Sequence, residues 1–167
     1  MVDSERSSAV MDREEGTLRQ LAAVVLLLLG VQFLTGMVTN LFVTIPSSHP
    51  GWKASHYFTG AARGVVWALA HGGPALAAHV TGGLLLLLVS VAILVIAARV
   101  RRRPWVWASL LGWIGVTGAG FNGASFVNYG HDFSSLLMSL AFVLAVVSYA
   151  SALYLSLAWR GANTCGG

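Results

Sequence analysis

Four stretches of this chain, 21–45, 76–98, 106–126 and 133–159, contain no aspartate, glutamate, lysine or arginine. A helix needs about 20 apolar residues to cross a hydrocarbon layer of about 30 Å. Each stretch is long enough. The chain is 56% hydrophobic and 10% charged, with a mean hydropathy of +0.74. Soluble domains carry about 25% charged residues. The expected fold class is therefore all-α: an integral membrane four-helix bundle of one domain.

Acids are scarce outside the start of the chain. Asp3, Glu5, Asp12, Glu14 and Glu15 precede the first span, and Asp132 is the sole acid after them. That excludes paired-carboxylate catalysis, carboxylate proton wires through the bilayer, and oxygen cages for calcium or magnesium. No HExxH, P-loop or GxSxG motif occurs, and nothing in the chain points to an enzyme. Cys165 is the single cysteine, so no internal disulfide and no CxxC motif exists. It is a candidate for palmitoylation against an expectation that it is inert.

Cations set the expected orientation. Arg6, Arg13 and Arg19 precede the first span, Arg99, Arg101, Arg102 and Arg103 follow the second, and Arg160 follows the fourth. The 46–75 connection carries only Lys53 and Arg63. The positive-inside rule then places both termini in the cytoplasm and the 46–75 loop outside. The expected organisation is a cytoplasmic tail over 1–19, the bundle over 20–160 and a second cytoplasmic tail over 161–167. The net charge of +4 reads as topology and head-group contact, with no nucleic-acid partner. The first span is read as an uncleaved anchor, and the location as the cell (plasma) membrane.

Within the outer loop, 55–71 admits a short surface helix with His56, Thr59, Arg63 and His71 on one face and Val65, Val66 and Leu69 opposite. Gly60, Gly64, Gly72 and Gly73 favour an irregular loop instead. Trp52, Trp67, Trp105, Trp107 and Trp159 fall near span ends and read as interface anchors, with Trp113 deeper.

Helices in lipid associate through close packing and interhelical hydrogen bonds. In the third span Ala108, Gly112, Gly115, Ala119 and Gly123 form a smooth groove, and in the fourth Ala141, Ala145, Ser148 and Ala152 recur at similar spacing. Gln32, Thr35, Gly36, Thr39 and Asn40 share a face of the first span, which should turn into the bundle or toward a partner.

All five histidines, at 49, 56, 71, 79 and 131, fall on the outer side in this arrangement. Imidazoles bind transition metals and haem iron and move protons near neutral pH. His79 begins the second span, and Gly82 and Gly83 after it leave room for something bulky. His131 precedes the fourth span. Two imidazoles from separate helices can ligate a haem axially or hold one metal ion. His71 is an alternate ligand, and Asn122 sits in a polar segment, 120–130, fit to line a shared pocket. The plainer readings are head-group contact for His79 and an ordinary turn for His131, with Asp132 capping the fourth span through N–H groups near Ser134 and Ser135. His49 and His56 read as solvated loop residues.

On these residues the chain resembles one four-helix half of haem A synthase. Ala78-His79-Val80-Thr81-Gly82-Gly83 corresponds to the family's second-helix histidine and its small-residue setting, and His131 to the fourth-helix histidine, although it lies before the span. The resemblance implies a haem b pocket near the outer face. The family's glutamate before that histidine is missing from Pro74-Ala75-Leu76-Ala77-Ala78, and Val80 stands where the family has arginine. Those departures argue against hydroxylating activity. Bacterial four-helix b-type cytochromes are a looser analogue.

Three functions follow as expectations. One is haem or metal binding near the outer face, with His79 and His131 as ligands, for electron transfer or haem handling. The second is an accessory subunit that packs against other membrane subunits or its own copy. The third is a small oligomeric transporter lined by the polar face over 32–40.

Overall fold

A computed structural model describes residues 2–164, with side chains for 13–157. The side chains of Asp3, Glu5, Arg6, Asp12, Trp159, Arg160 and Cys165 lie outside the described residues. The helices are α1 (Val2–Phe42), α2 (Tyr57–His71), α3 (Gly73–Val100), α4 (Arg103–Tyr129) and α5 (Asp132–Thr164). Four of them, α1, α3, α4 and α5, have the length and hydropathy to cross a membrane. Helix continues through both segments expected as tails, 2–19 and 161–164.

Helix ends follow local chemistry. The chain leaves α1 four residues before Pro46, which has no N–H to extend a helix. Pro74 and Pro104 occupy the first turns of α3 and α4, where a missing N–H costs least. Gly130, at φ +67°, ends α4 in the left-handed conformation and returns its N–H to Phe126 O at 2.8 Å. Asp132 does not cap α5. It is the exposed first residue of that helix, and the Ser134 N–H goes to the His131 carbonyl at 2.9 Å. The carboxylate instead lies beside the positive end of the helix dipole.

The four long helices close a ring in which α1 touches α3, α3 touches α4, α4 touches α5, and α5 touches α1. Among the described residues the diagonal pairs, α1 with α4 and α3 with α5, are not in contact. The short 101–102 turn and the 130–131 turn make neighbours antiparallel. α2 folds back over α3 and α4.

The main buried apolar cluster lies toward one end, and Ala68 and Leu76 are buried separately at the α2 end. Leu18, Ala22, Val25 and Leu29 of α1 meet Leu86, Ile93 and Ala97 of α3, Trp105 and Val116 of α4, and Ala145 and Tyr149 of α5. This is the arginine end. Trp105, expected as an interface anchor, is 5% exposed within that core, whereas Trp107 is exposed as an anchor would be. At the α2 end, α1 presents Leu34, Leu41 and Phe42 outward, so polar contacts carry more of the association there.

The arginine end also holds an ion pair between Glu15 of α1 and Arg102 of the α3–α4 turn. Arg102 is half exposed, and solvent-exposed pairs contribute little. Glu15→Gln is expected to cost less than about 1 kcal/mol in detergent unfolding, an effect that high salt removes.

Candidate functional site

Polar groups meet in the half of the bundle away from the apolar core. Gln32 and Thr35 lie on the face of α1 turned to α3, and His79 on α3 faces them half-buried. The Gln32 amide donates to the His79 carbonyl at 3.0 Å, and its nitrogen stands 3.5 Å from the His79 Nε2. The Thr35 hydroxyl is 3.4 Å from Nδ1 while also lying 3.1 Å from the Val31 and Gln32 carbonyls. Both nitrogens of the ring therefore look toward α1.

Glycines make this approach possible. A Cβ on Gly36 would stand 2.9 Å from the His79 Cε1. One on Gly82 would stand 2.5 Å from the Gln32 Oε1, and one on Gly83 3.3 Å from the Gln32 Nε2. The bulky group that Gly82 and Gly83 admit is thus the Gln32 side chain, fifty residues away in sequence.

The remaining candidates have other surroundings. His131 is exposed in the α4–α5 turn, its ring stacked 6.1 Å from Tyr129. His71 ends α2 and is exposed beside a shallow cavity. Asn122 donates to its own helix at Gly118 O, 2.8 Å away. His79 is thus brought together with Gly82, Gly83 and Gln32, while His131, His71 and Asn122 each contact a different neighbourhood. Among the described residues, no three of histidine, cysteine, aspartate and glutamate gather in metal-binding geometry. As placed, Nε2 and Nδ1 of His79 face Gln32 and Thr35 of α1.

The second polar assembly is the cap over 47–71, which sequence reasoning undervalued. His49 is 5% exposed, not a solvated loop residue. Its ring nitrogens stand 3.0 Å from the Pro50 and Val127 carbonyls, and its face stacks on Trp67 at 4.6 Å. Trp52 closes the edge at 5.9 Å. Both tryptophans thus clamp an imidazole in addition to lying near span ends.

Beneath the cap lies Asn128, 1% exposed, whose carbonyl accepts the Lys53 N–H at 3.0 Å. Its side-chain amide makes no hydrogen bond among the described residues. Gly51, Gly60 and Gly64 pack around that amide. Gly60, Gly64 and Ala68 form the buried stripe of α2, so the glycines that favoured an irregular loop are what lets a helix dock. The spacing of four between them was the readable signal. Val66 and Leu69 face outward instead. Tyr57 donates to Phe121 O at 2.7 Å, and Tyr129 to Ala54 O at 3.0 Å, tying the cap to α4.

These helices have the length and composition of a multi-pass membrane protein, with a half-buried imidazole near one end of α3 and an ordered polar cap. No family model, curated protein or solved structure matches the chain.

The α1–α3 contact makes a specific prediction. Gln32→Leu and His79→Leu are each expected to destabilise the protein, and the double variant to lose less than their sum. A coupling of about 0.5–2 kcal/mol is expected from a double-mutant cycle in detergent. Strict additivity would mean that the two side chains do not interact.

Proposed function

We propose that this protein is a non-enzymatic accessory subunit of a membrane assembly, lying in the cell membrane with both termini in the cytoplasm. The observation behind this reading is the pairing of Gln32 and Thr35 with His79. The inner part of the polar face of α1, at Gln32 and Thr35, is thus engaged within the chain. What remains available to partners is the exposed apolar surface, including Val31, Leu34, Met37 and Val38 on α1. Other membrane subunits or a second copy would pack there through van der Waals contact. The arginines at the end opposite α2 support the cytoplasmic assignment.

The test combines spectroscopy with assembly. Protein purified in mild detergent is expected to be colourless and metal-free. Crosslinking in intact membranes is expected to trap it at fixed stoichiometry with one partner or with itself.

Haem b or metal binding is the second reading, favoured by the half-buried intramembrane imidazole of His79, since ionisable groups at such depth are ordinarily functional. It requires the ring to leave Thr35 and Gln32. A Soret band abolished by His79→Ala would establish it and displace the accessory reading. The transporter reading has less support, because Gln32 and Thr35 of its lining face pair with His79 of α3.

A further inference from the structure

The cap carries a cavity of about 500 Å³ lined by Pro50, Ala62, Arg63, Val66, Trp67 and His71. We propose that this groove binds the head group of an anionic phospholipid from the leaflet on the α2 side.

Arg63, Trp67 and His71 recur every four residues and share one face of α2. The outer two are about 12 Å apart along the axis at 1.5 Å per residue. A guanidinium offers a planar fork of donors that matches phosphate oxygens, and an imidazole N–H adds another donor at the far end. Between them Ala62, Val66 and Pro50 make an apolar floor. Trp67 is a fixed wall, because His49 stacks behind it and is itself held near two backbone carbonyls. The groove therefore combines an ordered, mostly apolar surface with the Arg63 cation and the His71 imidazole at its two ends.

Charge and position select a lipid as occupant. Arg63 has no acidic partner among the described residues, and the only acid at this end, Asp132, lies at the start of α5. Spans of 26–30 residues are longer than the roughly 20 needed for the hydrocarbon layer, so their ends and α2 reach the head groups. Phe58, Val66 and Leu69 are exposed on the same helix and continue the apolar surface toward acyl chains. Anionic lipids are attracted to basic residues at this depth, and a soluble anion would gain nothing from the apolar floor.

The test uses the full chain, delipidated in detergent and exposed to equal phosphatidylglycerol and phosphatidylcholine, with bound lipids counted by native mass spectrometry. The wild type is expected to retain phosphatidylglycerol about fivefold over phosphatidylcholine. R63Q should lower the ratio about twofold or more, H71Q should lower it less, and S139A on the exposed face of α5 should leave it unchanged. Arg63 and His71 are exposed, so circular dichroism of both variants should match the wild type. An unchanged preference in a folded R63Q protein overturns the proposal. Displacement of the lipid by excess inorganic phosphate also overturns it, and assigns the groove to a soluble anion.

Discussion

Gly115→Leu is expected to force α4 and α5 apart and to cost about 3 kcal/mol or more in detergent unfolding. A Cβ at Gly115 would stand 2.7 Å from both Ala141 O and Ala145 N, and 3.0 Å from the Ala145 Cβ. Two of these three are backbone atoms of a continuous helix. No rotamer change relieves them, so α5 must move as a body. Gly112 shows the softer version of the same contact, since its neighbour is the Tyr149 ring at 2.5 Å. Gly120 is the control. Nothing lies within 4 Å of its Cβ position, so Gly120→Leu on the same helix should leave stability within about 0.5 kcal/mol. Equal losses at Gly115 and Gly120 would show that the cost does not come from the α4–α5 contact.

The second large effect is expected at the cap. A Cβ on Gly64 falls on the Asn128 Oδ1, and Asn128 is enclosed with Gly51 packing on another side. Gly64→Ala should therefore cost about 2–3 kcal/mol from overpacking, despite the better helix propensity of alanine. In an Asn128→Ala background the same change should cost little, because the obstructing amide is gone. Limited proteolysis of the 43–56 segment provides a second measurement. Cleavage should accelerate in Gly64→Ala and return toward the parental rate in the double variant. If the penalty persists without the Asn128 amide, α2 docks through some other contact.

Much of this architecture can be read along the chain. Uncharged runs announced four spans because charge in the hydrocarbon layer is expensive wherever the helix points. The Gly112 and Gly115 groove was visible from its spacing, and α5 indeed occupies it. The polar face of α1 was visible for the same reason, and Gln32 and Thr35 do turn inward. The candidate site was less legible. His79, Gly82 and Gly83 were recognisable as a cluster, but their guest was not, because Gln32 reaches them from another helix. His49 looked solvated since its neighbours, Ser47, Ser48 and Pro50, have the composition of a loop. Its burial arises from Trp67 and Val127, both distant in sequence.

The order of residues thus dictates how many helices form, where prolines and glycines end them, and which faces cannot meet lipid, because these depend on the free energy of each segment in its solvent. Which faces meet is a different matter. The ring of contacts that separates α3 from α5, turns His79 toward α1 and closes the cap over Asn128 emerges only on packing. Complementary shape between distant segments decides it, and a missing Cβ at Gly36, Gly64 or Gly82 admits one neighbour where a side chain would exclude it.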